Sequence, residues 1–301
     1  MPKHKHALPA LTKAGYFATN VVARGFIMVA LATPYRWRVP FMGWMISRVI
    51  GPLAGFMKRA EKHVAFIMPH LPHAEQNRIA RASLDNMGRT LIENYSTKAL
   101  LARQKDADIQ GPGLAALQQA SDKGQAVILV SGHFGNYEAL RAALWGKGFE
   151  VGGLYRNMAN PYFNAHYVRT MHDLGEPMFA QGRKGLAGFV RHLKGGGKVV
   201  LLVDQHVHRA PLYTFLGHPA RTSVSAAELA LRYDAVVIPY FGIRRPDGLN
   251  FDCMLDAPIP KTDLETMTQA INDSIAARIR AHPEQWLWVS RRWRPGDSSI
   301  T

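Results

Sequence analysis

A histidine followed five positions later by a carboxylate, His133 and Glu138 in "VILVSGHFGNYEALRAAL" (residues 127–144), is a pair that could move a proton. An imidazole hydrogen-bonded to an acid is oriented and made more basic, which suits it to take a proton from an alcohol. Spacing alone is weak evidence. With 13 histidines in 301 residues, about one such pair arises by chance. On a continuous helix five residues turn through about 500°, leaving the side chains about 140° apart, and on one strand they face opposite sides. The backbone must therefore turn between them. "VILVS" reads as a strand running in, Gly132 and Gly135 bracket the histidine, and Asn136 is a good N-cap for "YEALRAALWG". Glu138 then falls in the first helical turn, where the helix dipole favours an ionised carboxylate. From there it can accept a hydrogen bond from one imidazole nitrogen while the other faces a pocket at the carboxyl end of a sheet. A polar histidine at a strand end beside a local acid has the same spacing.

Other chemistries find less support. No Gly-x-Ser-x-Gly elbow occurs, and the single cysteine, Cys253, sits in a predicted strand with no glycine turn. Direct transfer between two bound substrates is therefore favoured over an acyl-enzyme. One cysteine also forms no internal disulfide and points to a reducing compartment. "KGGGK" (194–198) follows a helix and precedes a strand, the reverse of a phosphate loop, and Val199 stands where Ser or Thr is required. It reads as a helix cap and turn. His206 and His208 with one Asp make no credible metal site, and the expectation is no metal and no cofactor.

The elements that must hold the pair are legible as periods. Residues 74–104 read as one long amphipathic helix, with Ile79, Leu84, Met87, Leu91 and Tyr95 on its apolar side. "GPG" at 111–113 marks a boundary between an N-terminal helical region, 1–110, and a core, 111–301. Beyond it, apolar strands at 126–131, 150–155, 198–204 and 235–243 alternate with helices at 136–147, 160–174, 184–194 and 222–233. That pattern predicts an α/β fold with a mainly parallel sheet covered on both faces. A last helix carries Met267, Ile271, Ile275 and Ile279 on one face behind a capping box, Thr262 to Glu265.

Charge identifies the kind of partner. The net charge is +15, and residues 1–60 hold nine Lys and Arg with no Asp or Glu. Such a balance implies an anionic partner. The basic residues interleave with an apolar and aromatic run rather than with a nucleic-acid motif, so a membrane surface is expected and nucleic acid is not. From Ala14 to Tyr35 a single charge, Arg24, interrupts the run. A helix lying in the interface, or an anchor with Arg24 snorkelling, fits better than a clean span; a helical hairpin packed on the protein's own core is the alternative.

Several blocks resemble, in order, the bacterial lipid A late acyltransferases. "SGHFGNYEAL" resembles their His-x4-Glu/Asp signature, and "FIMPHLPHAEQNRIARASLDNMGRTLIEN" their preceding helix. "YRNMANPYFNAHYVRTMHDLG" resembles a block with two arginines, and "LLVDQHVHRAPLYTFLGHPARTSVSAAELA" the Asp-Gln block. "HPEQWLWVSRRWR" resembles the C-terminal block, with Ser290 where the family usually has His. The resemblance covers roughly residues 25–294. It implies the glycerolipid acyltransferase-like α/β fold and a place on the cytoplasmic face of the bacterial inner membrane, monotopic or single-pass. The implied reaction moves a fatty acyl chain from acyl carrier protein, or from coenzyme A, to a hydroxyl of a phosphorylated glycolipid. His133 is then the general base and Glu138 its partner, while Arg156, Arg169, Asp204, Gly135 and Asn136 are the candidate substrate-binding positions. Another lipid acceptor (an inositol-mannoside, ornithine lipid or lysophospholipid) and a catalytically idle membrane-binding protein are the alternatives. Trp286 and Trp288, with Arg291, Arg292 and Arg294, fit either an acyl channel at the headgroup region or core packing with a solvated basic tail.

Overall fold

The computed structural model describes residues 9–294; the outer ends of the two expected regions, 1–8 and 295–301, lie outside them. The chain opens with helices α1 (Ala10–Leu31) and α2 (Tyr35–Met45), a π-helical turn at Ile46–Ile50, and α3 (Gly51–Leu53). Helices α4 (Phe56–Ile67), α5 (His73–Tyr95) and α6 (Thr97–Gln104) follow. Then come β1 (Ile109–Gln110), α7 (Gly113–Asp122), β2 (Val127–Ser131), α8 (Tyr137–Gly146), β3 (Val151–Tyr155) and α9 (Pro161–Asp173). The second half comprises β4 (Met178–Ala180), α10 (Arg183–Lys194), β5 (Lys198–Leu202), a β6–β7 hairpin (Leu212–Phe215, His218–Arg221), α11 (Ser225–Tyr233), β8 (Val236–Arg244), β9 (Phe251–Leu255) and α12 (Leu264–Ala281).

Seven strands form one sheet in the order β1-β9-β8-β2-β5-β3-β4. β8, β2, β5, β3 and β4 run parallel, and β9 is antiparallel to β8. β2 lies at the centre, and its five residues are all buried. Val127 and Leu129 pack into one apolar cluster with α7 and α8; Ile128 and Val130 pack into another with α5, α10, α11 and α12. Burial on both faces is why the strand reads as a continuous apolar run rather than an alternating one. α5 belongs to the same cluster as β2, β5 and β8, so helices from before the expected boundary at 111–113 and strands from after it share a core.

Two local expectations are corrected, and some short strands are added. The run 74–104 is two helices, because Ser96 leaves the helical conformation and its hydroxyl donates to the carbonyl of Ile92 at 2.6 Å. α12 is capped by Asp263, whose side chain accepts from the N–H groups of Glu265 and Thr266; Thr262 is one residue too early. β1, β4 and the β6–β7 hairpin, of two to four residues each, are too short to carry a readable period. "KGGGK" is the cap of α10 and a turn into β5, as its order suggests.

The N-terminal helices pack closely on α5. A β-carbon at Gly88 would lie 2.5 Å from the carbonyl oxygen of Met42, so only glycine lets α2 cross there. α1 is long and apolar enough to cross a membrane, and only 17% of its most apolar window is buried inside the protein. It is tied to α9: the Asn160 amide donates to the carbonyl of Tyr16 at 2.8 Å and to Thr19 Oγ1 at 3.1 Å. The Phe17 and Tyr162 rings meet edge-on. Trp37, Phe41 and Trp44 form an exposed stripe along α2. This apolar surface fits a membrane-associating region.

Candidate active site

The register of the sheet assembles the site. Ser131 at the end of β2 pairs with Leu202 at the end of β5, and Val203 N–H continues the ladder to the Ser131 carbonyl at 2.9 Å. Two residues beyond each strand end, His133 and Asp204 stand side by side. From β2 the chain leads through α8 to β3 on one side, and from β5 it returns to β8 on the other. The crevice outside the carboxyl ends of such strands is where open α/β sheets bind ligands.

His133 Nδ1 lies 2.7 Å from Asp204 Oδ1, and the His133 backbone N–H donates to Asp204 Oδ2 at 2.7 Å. The Trp286 indole N–H donates to the same Oδ2 at 2.8 Å. Asp204 is fully buried, whereas the His133 side chain keeps 23% of its surface exposed. Burial alone pushes the Asp204 carboxyl up, but the imidazole and these hydrogen bonds overcome it and hold the group below its ordinary value. Burial pushes the imidazole down, and the Asp204 carboxylate more than reverses it, so His133 is raised above its ordinary value. His133 Nε2 faces outward, 3.2 Å from the side-chain nitrogen of Gln205.

The carboxylate on His133 is thus Asp204 and not the expected Glu138. Glu138 is one position past the start of α8 and shares a helix face with Arg141, whose Nε donates to Glu138 Oε2 at 2.6 Å. Arg141 Nη1 also donates to the carbonyls of Val151 and Gly175, which ties the pair to β3 and the end of α9. Tyr137 stands between the acid and the imidazole in sequence, its ring edge-on to His133 with centroids 5.9 Å apart. Glu138 and His133 line the same polar cavity without bonding.

Gly135 and Asn136, expected to touch substrate, build the turn, and Gly135 also lines the apolar cavity beside His133. Asn136 is fully buried; its Oδ1 caps α8 and its amide donates to Glu93 at 2.9 Å. Gly135 has φ +54°, and a β-carbon there would strike the carbonyl of Gly242. Its N–H donates to the Gln285 carbonyl, and its own carbonyl accepts from Asn86 and Thr90. Asn86 and Thr90 also hold Arg244, which makes a two-pronged ion pair with buried Glu93. This polar network fastens the turn to α5.

The two arginines part company. Arg156 is exposed at the end of β3 and lines the polar cavity with Glu138, Arg141, Tyr167 and Gln205. Arg169 is exposed on the other side of α9 from the cavity-lining Tyr167 and Met171, because two residues turn a helix by about 200°. A second cavity meets the first at His133 and Tyr137. Met87, Leu91, Trp286 and Leu287 make it mostly apolar, and Leu91 is 45% exposed beside it.

The C-terminal block is core rather than tail at its centre. Trp286 and Trp288 are buried, and Arg292, also fully buried, donates to the carbonyl of Gln205 at 3.1 Å and to Thr222 Oγ1 at 2.6 Å. Ser290 Oγ is buried and has no hydrogen-bond partner among the described residues. Cys253 is buried in β9, and burial pushes its thiol up to about 12, so it is no nucleophile. Among the described residues no group of three or more His, Cys, Asp or Glu could hold a metal. The contacts of Gln205 and Trp286 at the base are not legible in the sequence; the adjacency of Gln205 to Asp204 and the acyl-channel reading of Trp286 point only to the neighbourhood of the site.

Similarity to known proteins agrees with this geometry. The family model for bacterial lipid A biosynthesis acyltransferases matches residues 4–295. The chain is similar to the lipid A biosynthesis lauroyltransferase of Escherichia coli (strain K12), with 25% identity over 94% of this chain and 97% of that one. It is similar to the lipid A biosynthesis palmitoleoyltransferase of the same organism, at 24% over 86% and 87%. A phosphatidylinositol mannoside acyltransferase of Mycobacterium tuberculosis (strain CDC 1551 / Oshkosh) is 24% identical over 83% of this chain and 86% of its own. A match over nearly the whole chain places it: the chain belongs to the bacterial lipid A biosynthesis acyltransferase family.

Proposed function

We propose that this protein transfers a fatty acyl chain from an acyl-carrier-protein thioester to a hydroxyl of a lipid A precursor, with His133 as general base and Asp204 as its orienting acid. The observation that carries this reading is the position of His133. Its Nδ1 is fixed by a buried carboxylate, and its Nε2 faces the junction of one apolar and one polar cavity. Two substrates, one chain-like and one polar, can meet there.

In this reading the acyl chain lies in the apolar cavity along Met87 and Leu91. The acceptor headgroup enters the polar cavity, where Arg156 offers a fork of donors to phosphate oxygens. Nε2 takes the hydroxyl proton as the oxygen attacks the thioester carbonyl. Asp204 stabilises the imidazolium, the C–S bond breaks, and the imidazolium returns the proton to the departing thiolate. Glu138 with Arg141 sets the charge of the cavity wall. The exposed faces of α1, α2 and the π-helical turn after α2, with Arg24, Arg36 and Arg48 among their apolar residues, support docking on the cytoplasmic face of the inner membrane.

The test is a mass-spectrometric transfer assay in detergent with carrier-protein thioesters, coenzyme A thioesters, and a tetra-acylated lipid A precursor. Acylated product from the carrier-protein donor that is lost in His133→Ala supports the reading. Product from coenzyme A alone overturns the donor. Transfer to a phosphatidylinositol mannoside but not to the precursor overturns the acceptor.

A further inference from the structure

A transferase of this kind must stabilise the negative oxygen that forms when the acceptor attacks the thioester carbonyl. A glycine-rich turn beside the base is the usual place to look for backbone donors. Here most of the turn is spent. The N–H of His133 goes to Asp204, that of Phe134 to the Gly132 carbonyl, that of Gly135 to the Gln285 carbonyl, and that of Asn136 to the Gly242 carbonyl. Beyond Tyr137, the first residue of α8, the amides of Glu138 and Ala139 go to the Asn136 cap. With these amides committed to the protein itself, the donor best placed for the forming oxyanion is the side chain already in contact with the base.

We propose that Gln205 is a catalytic residue whose side-chain amide supplies the oxyanion donor. The inference rests on the acyl-transfer reading given above. Gln205 Nε2 lies 3.2 Å from His133 Nε2. Because His133 Nδ1–H is given to Asp204, Nε2 carries the lone pair, and the Gln205 amide is the donor in that contact. The amide occupies the place that the acceptor hydroxyl must take. When the hydroxyl arrives, its proton replaces the amide at Nε2, and the displaced N–H lies within reach of the carbonyl being attacked.

Several features hold this amide in place while leaving it reachable. The Gln205 side chain lines the polar cavity beside Arg156. Its backbone carbonyl is gripped by the fully buried Arg292, which is anchored in turn on Thr222 and the Arg221 carbonyl. Its neighbour Asp204 is fixed by the three donors already named. The step balances. The hydroxyl proton passes to Nε2, the new C–O bond forms, and the carbonyl electron pair moves onto the oxygen that accepts from Gln205. Collapse restores the C=O, breaks the C–S bond, and sends the imidazolium proton to sulfur.

The test uses Gln205→Leu and Gln205→Glu in the full-length protein. Each is assayed across pH with an acyl-carrier-protein thioester and the lipid A precursor, and its folding is checked by thermal melt. Loss of an oxyanion donor costs about 10²–10³-fold in kcat, with the acceptor KM changed little. Gln205→Leu also removes a donor to the neutral imidazole, which had favoured that form, so the acid limb of kcat/KM moves to higher pH. Gln205→Glu, which donates nothing when ionised, loses as much kcat and moves the limb further in the same direction. Full kcat in either folded variant overturns the proposal. So does a fall in kcat with an unmoved acid limb in Gln205→Leu, which marks a structural role. Absence of transfer by the wild-type protein refutes the acyl-transfer reading itself, a different outcome from an active wild type with unimpaired variants.

Discussion

His133 Nδ1 and Asp204 Oδ1 lie 2.7 Å apart although 71 residues separate them in the chain. The link is the parallel register of β2 on β5, which ends both strands at the same level and leaves each residue two steps beyond its strand. The imidazole is raised above its ordinary value and the carboxyl held below it. The sign of each sets a pH window. A raised histidine contributes stability that is full below its unfolded pKa and is lost as pH rises through its folded one. A depressed carboxyl contributes stability that is lost as pH falls through its folded value. His133→Asn is therefore expected to destabilise the protein more at pH 6 than at pH 9 in urea unfolding. An equal loss at both would contradict the ion pair.

The turn that carries the base requires glycine at one position. Gly135 combines φ +54° with a β-carbon direction blocked by the Gly242 carbonyl. Gly135→Ala is expected to cost more than about 2 kcal/mol, from a strained backbone together with a clash on a strand that cannot shift. Equilibrium unfolding measures it. A loss under 0.5 kcal/mol, the range of ordinary surface changes, would show that the turn relaxes.

Glu93 and Arg244 are both buried, and their pair connects α5, β8 and the cap of α8 through Asn136. Glu93→Ala leaves a buried guanidinium without its partner and is expected to cost about 3–5 kcal/mol. Replacing both members with apolar residues is expected to recover much of this loss. Thermal melts of the single and double variants distinguish a packed ion pair from a dispensable one.

How much of this was legible can be argued residue by residue. Strands such as β2 and β5 were readable because both their faces are buried, and Asn136 announced α8 because a cap is a local device. Nearness in sequence and a place in the first helical turn point to Glu138 as the partner of His133. The bonded partner of Glu138 is Arg141, at i+3 on the same face, and the acid bonded to the imidazole lies just beyond another strand, β5. Sheet register cannot be read from one chain, so Asp204, Trp286 and Gln205 could be placed near the site but not on the imidazole. Neither sequence reading of the C-terminal block, headgroup dock or basic tail, buries Arg292, because its burial depends on a hairpin, β6–β7, too short to foresee.

The stripe of Trp37, Phe41 and Trp44 on α2 is exposed at 60%, 46% and 51%. Changing all three to Ser is expected to weaken binding to anionic lipid vesicles by more than about tenfold, since each ring loses its apolar burial in the interface. Melting temperature should change little because these faces contact solvent. Unchanged vesicle binding, read by co-sedimentation, would move the membrane contact to another surface.

Whether Asp204 or Glu138 sets the proton affinity of His133 is read from the pH dependence of kcat/KM in Asp204→Asn and Glu138→Gln beside the wild type. Asp204→Asn is expected to lose about 10²–10⁴-fold in rate and to move the acid limb to lower pH, because the carboxylate that raised the imidazole is gone. Glu138→Gln is expected to leave the acid limb in place, whatever it does to the amplitude. An acid limb that moves down in Glu138→Gln and stays in Asp204→Asn would make Glu138 the acid that governs the base.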